Sequence, residues 1–334
     1  MTGLFSPLAI KNFTLRNRIV LPPMANNLSD SSGAVTDGHI QHYVRRAAAG
    51  VGMVIVEHAY VRVDGRVNQN QLGIHHDDLI PGLNRLARDI KATGAVVGIQ
   101  ITHGGGKTTY ATAGGQPLAP SALMIPGGHE PAIALTQAQM NLIRDAFVTA
   151  AYRALNAGFD FVEIHGAHGY LLNQFLSPLT NQRDDRYGIS LEARLQFPLE
   201  IVTAIREIVD KKHLLLYRLG ANDYMVGGLT AEDGQQVAKA LVAAGVDLLD
   251  ISGGLCGSQT PDWDRQNQGY FVPAAAAIRS MVDVPVVVAG GITDPYAADR
   301  FIREHQVDLV AIGRAMLTNP DWASDARAML PDHE

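Results

Sequence analysis

Two histidines three positions apart, His165-Gly166-Ala167-His168, with Tyr170 just beyond, carry the densest chemistry in this 334-residue chain. Three readings of that spacing stand open. The imidazoles can be satisfied by local hydrogen bonds and do nothing more. They can ligate a metal, which a barrel hydrolase would complete with ligands from other strand ends. Or they can aim two N–H donors at a carbonyl oxygen or oxyanion, with the Tyr170 phenol as proton donor. Elsewhere, Arg218 follows the apolar run Leu214-Leu215-Leu216-Tyr217. An arginine in such surroundings asks for an anionic or carbonyl-rich ligand. Gln100 offers donor and acceptor together, as the amide edge of a heterocycle requires. The glycine pair Gly290-Gly291, and Gly313 before Arg314, let backbone approach a phosphate that Arg314 can grip with two N–H groups.

These residues need elements that bring them together. Short apolar, β-branched runs recur at residues 19–24, 51–59, 95–103, 159–166, 213–220, 246–254, 284–292 and 307–314. Near-continuous apolar runs are the pattern of parallel strands covered on both faces. Helical patterns lie between them at 78–93, 136–157, 191–209, 230–244, 272–282 and 295–305. Thr136 and Thr230 are start signals, Gly158 and Gly245 stop signals. The alternation predicts a (β/α)8 TIM barrel with an N-terminal hairpin and enlarged loops after strand three (104–135) and strand four (167–190). A doubly wound sheet shares the alternation, but strand one ends in Pro22-Pro23-Met24, with no Gly-x-Gly-x-x-Gly turn. No linker interrupts the series, so residues 1–334 read as a single domain.

A barrel of this kind forms its site at the C-terminal strand ends. They gather Pro23, Met24 and Ala25 from the first strand, Glu57 and His58 from the second, and Gln100 and His103 from the third. The fourth adds His165, His168 and Tyr170, the fifth Arg218, and the sixth Ser252 and Gly253. Gly290 and Gly291 end the seventh, Gly313 and Arg314 the eighth, the usual barrel phosphate position. Alternation also turns Phe161, Glu163 and His165 toward one face, the barrel interior. A phosphate at one end and a planar ring bearing carbonyls at the other describe a flavin mononucleotide.

Composition narrows the partners. Lys and Arg number 27 against 33 Asp and Glu, a net charge of −6 with no basic run, which argues against nucleic acid. A 47% hydrophobic content supplies a sizeable core. Cys256 is alone, so an internal disulfide, an iron–sulfur cluster and a cysteine-rich zinc site are out of reach. No run approaches the ~18 apolar residues of a membrane span, and the first dozen residues lack a leader pattern, so the expectation is a cytoplasmic protein with no membrane partner.

The chain resembles the old yellow enzyme family of FMN-dependent oxidoreductases over nearly its whole length. The resemblance runs through Leu4-Phe5-Ser6-Pro7-Leu8-Ala9-Ile10, Leu15-Arg16-Asn17-Arg18-Ile19-Val20, Gly98-Ile99-Gln100 and Ile312-Gly313-Arg314. The stretch from His165 through Tyr170-Leu171-Leu172-Asn173-Gln174-Phe175-Leu176-Ser177-Pro178 is the most specific. The resemblance implies a barrel holding tightly bound, non-covalent FMN, with NADH or NADPH as co-substrate. Pro23, Met24 and Ala25 would line the ring, Gln100 its pyrimidine edge, and Arg218 its N1 and O2. Ser252, Gly253, Gly290, Gly291, Gly313 and Arg314 would complete the cofactor site. His165 and His168 would hold the carbonyl oxygen of an α,β-unsaturated substrate, Tyr170 would protonate its α-carbon, and Asn27 would line the substrate pocket. The implied reaction passes hydride from NAD(P)H to flavin N5 and on to the β-carbon of the small-molecule substrate. Against the family pattern, Ala25 stands where many relatives carry Cys or Thr, Asn27 replaces an aromatic, and Gly104-Gly105-Gly106 replaces Ala-Gly-Arg. The Tyr-x-Arg tail some relatives insert into a neighbour is missing, so a homo-oligomer is allowed but a shared site is not implied. The loop 103–115 is expected to form either a mobile lid or a simple solvated loop. Beside this reading stand a relative acting on an enoyl thioester, a nitro compound or a demethylation target, a metal-dependent barrel hydrolase using His165 and His168, and a flavin-binding protein without turnover.

Overall fold

The computed structural model describes residues 2–262, 264 and 268–330. Eight parallel strands pair in chain order and close on themselves. They are Ile19–Leu21, Met53–Tyr60, Val96–Thr102, Phe161–Gly166, Leu214–Gly220, Leu248–Ser252, Val286–Val288 and Leu309–Ala311, with Val310 opposite Ile19 completing the ring. All eight predicted strands are present. The first, seventh and eighth are only three residues long, and in the first two of these, prolines or positive-φ glycines follow within two residues of the strand end. Pro22 and Pro23 carry no N–H, and Gly290 and Gly291 take positive φ of 134° and 69°.

Alternation sorts the strand residues into two cores. Outward side chains such as Val54, Ile99, Ile164 and Leu215 pack under the helices. Inward, Val20, Met53, Ile55, Phe161, Leu214, Leu216, Leu248, Val287 and Leu309 fill the lower barrel. The predicted N-terminal hairpin, Leu8–Ile10 against Phe13–Leu15, is antiparallel and sends Ile10 and Leu15 into that inner cluster, closing the barrel floor. Gly98 lies opposite Phe161, and a Cβ there would fall 2.1 Å from the Phe161 ring. Gly98→Ala is therefore expected to cost about 1–3 kcal/mol or more by overpacking. Urea unfolding would show it, and a full-size cost persisting in a Phe161→Leu background would exclude this cause.

The predicted helices appear as Ile80–Lys91, Gln137–Asn156, Leu191–Ile208, Ala231–Ala243, Val272–Arg279 and Pro295–Arg303. Thr136 and Thr230 cap theirs, accepting from the backbone N–H of Gln139 and Asp233. A seventh, Asp37–Ala48 between the first two strands, has no counterpart among the predicted helices. Its buried face is His39, Tyr43, Arg46 and Ala47, so polar side chains conceal the helical period. The loop after the third strand carries a short helix, Tyr110–Ala113, and a two-residue pairing of Leu118–Ala119 with Ile133–Ala134.

Candidate active site

The upper barrel interior is polar. Strand register sets Gln100 beside Glu163 and Arg218 beside Asp250, all four buried. Gln100 Nε2 donates to Glu163 Oε1 at 2.7 Å, and Arg218 Nε lies 3.2 Å from Asp250 Oδ2. Burial, then the nearby Asp250, pushes the Glu163 carboxyl well above the usual range. Burial likewise raises Asp250 to about 6 against the pull of Arg218. One cation thus faces two carboxyls that resist ionising together. Gln100 Oε1 is buried with no hydrogen-bond partner among the described residues, an orphan that a ring N–H above this layer would satisfy.

His165 lies two positions beyond Glu163 near the end of the fourth strand, in register with Arg218. Its Nδ1 accepts from the Ala167 N–H at 3.3 Å, so the ring proton sits on Nε2 and that nitrogen is a donor. His168 follows at φ 59°, its main-chain N–H bound to the Gly253 carbonyl and its Nε2 2.7 Å from Ser252 Oγ. Burial first, then neighbouring imidazoles and cations, lowers both histidines well below their ordinary value, so both rings are neutral. Tyr170 caps the short helix Leu171–Leu176 and lays its ring edge-on to His165 with centroids 4.9 Å apart. Burial raises its phenol to about 12. Lys107 Nζ donates to the His168 carbonyl at 2.8 Å and secures the turn.

Beside this group a cavity of about 540 Å³ runs from Arg218 and Ser252 past Met24 and Tyr270 to Gly290, Gly291, Gly313 and Arg314. Its far end is built by close approach, because a Cβ at Gly313 would lie 2.9 Å from Met24 Sδ. Arg314 donates to the Tyr270 hydroxyl at 2.8 Å, and that hydroxyl donates to the Ser258 carbonyl at 2.6 Å. Pro23 is buried under the first-strand loop, Ala25 and Asn27 are exposed at its rim, and Asn27 takes φ 55°. The Asn26 N–H is held by Glu57 Oε2 at 3.0 Å, which fixes this loop from behind.

The structure places Met24, Arg218, Ser252, Gly290, Gly291, Gly313 and Arg314 on the cavity wall and groups His165, His168 and Tyr170 by ring contacts, whereas Pro23, Ala25, Asn27, Gln100 and Gly253 do not line that wall. Gly253 serves through His168, whose N–H it holds, and Ser252 lines the cavity while bonded to the same histidine. The expected lid is clamped along its first half. Gly104 to Gly106 and Thr108 are buried, with Gly106 N donating to Gln174 Oε1 at 3.0 Å and Gln174 Nε2 donating to the Gly104 carbonyl at 3.1 Å. A Cβ at Gly105 would sit 2.4 Å from Gln174 Oε1, and φ there is 61°, so a side chain is disfavoured twice over. Asp250 and Tyr270 are functional neighbours absent from the sequence-predicted set. Asp250 did leave a signal, as the lone charge within Leu248–Ser252 at the height of Arg218 in the adjoining strand. A hydrolase metal would need a third ligand, and among the described residues no group of three or more His, Cys, Asp or Glu side chains is placed to hold one. Nor does any helix among the described residues have the length and apolarity to cross a membrane.

The sequence profile of the NADH:flavin oxidoreductase / NADH oxidase family matches residues 3–333. The chain belongs to that family. An NADPH dehydrogenase of Clostridium acetobutylicum is 39% identical over 318 residues, covering 95% of this chain and 92% of that protein. An NADH oxidase of Thermoanaerobacter brockii is 41% identical over 332 residues, 97% of this chain, and the chain spans 50% of its length. Among solved structures, an old yellow enzyme homologue from Zymomonas mobilis superposes with TM-score 0.86 at 25% identity, covering 99% of this chain and 94% of the other. Morphinone reductase does so with TM-score 0.86 at 27% identity, covering 100% and 91%. These likenesses place the chain among the old yellow enzymes, NAD(P)H-dependent flavin oxidoreductases whose cofactor is FMN. The residues fit that cofactor. Arg218 lines one end of the cavity, Gln100 carries an orphaned amide oxygen in the buried polar group of the barrel interior, and two positive-φ glycines with Arg314 close the other end.

Proposed function

We propose that this old yellow enzyme relative uses NAD(P)H to reduce the C=C bond of α,β-unsaturated carbonyl compounds. The observation that carries the proposal is the fixed donor geometry of His165 beside Tyr170, in register with Arg218. When bound, FMN supplies the hydride. Every other element of the reaction is a task for the chain's own side chains. The His165 Nε2–H and the His168 ring bind the substrate carbonyl oxygen, and their hydrogen bonds strengthen as enolate charge grows on it. Both rings are neutral, so they stabilise charge without surrendering a proton. The Tyr170 phenol stays protonated at neutral pH and delivers its proton to the α-carbon.

The purified protein is expected to be yellow, to bleach with NADH or NADPH without oxygen, and to regain colour with a cyclic enone. A preparation that stays colourless with added FMN would sink the proposal, and a yellow one that no enone reoxidises would remove its substrate class. Arg314→Ala is expected to weaken FMN binding about 10–150-fold, the value of a hydrogen bond to a charged group. Fluorescence titration of the apoprotein reads this directly, and an unchanged Kd would place the phosphate elsewhere. His165→Ala should weaken the binding of simple phenols to the oxidised holoenzyme, and unchanged affinity would count against its donor role.

A further inference from the structure

A third imidazole stands beside the histidine pair. His58 lies in the second strand, Met53–Tyr60, where pairing with the third strand slips between Val56 and Ala59. Such an irregularity re-aims side chains next to active sites. Here it divides two neighbours. Glu57 reaches back to the Asn26 N–H and His39, while the His58 ring comes to 5.5 Å from Tyr170 and 6.0 Å from His165, centroid to centroid.

The proton position on His58 is set by its anchor. Val67 N–H donates to Gln71 Oε1 at 2.8 Å, which orients the Gln71 amide so that its Nε2 faces His58. That Nε2 lies 2.8 Å from His58 Nδ1 and 3.0 Å from the His58 carbonyl. An amide nitrogen only donates, so Nδ1 accepts and the ring proton sits on Nε2. Burial lowers the imidazolium to about 4, so the ring is neutral at working pH. Among the described residues nothing accepts the Nε2–H, which is directed away from Gln71. The anchoring repeats that of His165, whose Nδ1 is likewise occupied by an N–H. His58 keeps 6% of its surface exposed and its Nε2 is not among the sealed, unpartnered atoms such as Gln100 Oε1, so this fixed, neutral donor stays accessible to a ligand.

We propose that His58 is a specificity-determining residue whose Nε2–H binds a second acceptor oxygen of the substrate. The site would then favour unsaturated compounds carrying two carbonyls, such as maleimides, over simple enones. This assignment rests on the carbonyl-binding role given above to His165 and His168. It adds one hydrogen bond and no proton transfer.

A matched pair of saturated ligands tests it without turnover: succinimide, with two carbonyls, against 2-pyrrolidinone, with one. Titrated into the oxidised FMN-loaded enzyme and followed by perturbation of the flavin spectrum, succinimide should bind more tightly. His58→Phe should reduce that preference about three- to twelvefold, the range of one neutral hydrogen bond. His58→Gln, which keeps an N–H near the position of Nε2, should restore part of it. Equal affinities in the unsubstituted enzyme would overturn the assignment with no variant needed, as would a preference that survives His58→Phe. Turnover of maleimide and 2-cyclohexen-1-one separates this from the broader proposal. A two-carbonyl binding preference with neither compound reduced would retire the reduction chemistry and leave the His58 contact standing. Reduction of both with no binding preference would do the reverse.

Discussion

Tyr170→Phe leaves reduction of the enzyme by NAD(P)H at its original rate and slows reoxidation by a cyclic enone about 10²–10⁴-fold, the usual worth of a positioned general acid. The substitution removes one oxygen and keeps the ring that packs edge-on to His165 at 4.9 Å and against His58 at 5.5 Å. The backbone is held independently, by Tyr170 N–H to the Ala167 carbonyl and by Gln174 N–H to the Tyr170 carbonyl. The imidazoles cannot take over the donation, because burial keeps His165 and His168 neutral and His58 near 4. A phenol raised to about 12 also predicts an oxidative rate that is flat across neutral and mildly alkaline pH. Anaerobic stopped-flow measurement of the two half-reactions decides the matter. Equal slowing of both would mean a displaced cofactor and remove Tyr170 as proton donor.

How much of this arrangement is legible in the sequence depends on what kind of burial each residue undergoes. The eight strands are readable because both faces of each are covered, which leaves continuous apolar runs such as Leu214-Leu215-Leu216-Tyr217. Their ends are less so, because prolines and left-handed glycines stop a ladder while the apolar composition continues. The helix Asp37–Ala48 escapes because its inward face is His39, Tyr43 and Arg46, held by specific polar partners more than by apolar packing. Spacing places His165, His168 and Tyr170 together but cannot assign a tautomer, which depends on the Ala167 N–H. His58 is visible as a strand end, but its role depends on Gln71, thirteen residues on in a loop. Side chains that meet by register are within reach in principle. Alternation turns Glu163 inward correctly, and the same count of positions pairs Asp250 with Arg218.

That pairing carries the second large effect. Arg218→Met is expected to cost about 1–3 kcal/mol of apoprotein stability between pH 7 and pH 8, since one carboxyl whose titration is displaced above pH 6 changes stability by at most about 1.4 kcal/mol per pH unit. Methionine preserves much of the volume, so the loss is electrostatic: Asp250 and Glu163 remain together without a cation. The sign of the pH dependence is set by Asp250. Its folded-state value is about 6, raised from the ordinary 3.8 by burial and restrained by Arg218. A carboxyl raised in the folded state contributes stability that is present below its unfolded value and lost as pH rises through its folded value. Without Arg218 that folded value climbs further, so the variant continues to lose stability as pH rises past 6, where the parent's loss levels off. The deficit should therefore be small near pH 5 and full near pH 8, read by urea unfolding of the two apoproteins. Asp250→Asn in the same chain removes the stranded charge and should recover part of the loss at pH 8 and little at pH 5. A deficit independent of pH, or one that Asp250→Asn deepens at pH 8, would show that Arg218 supports the barrel by packing, and that the buried carboxyls do not depend on its charge.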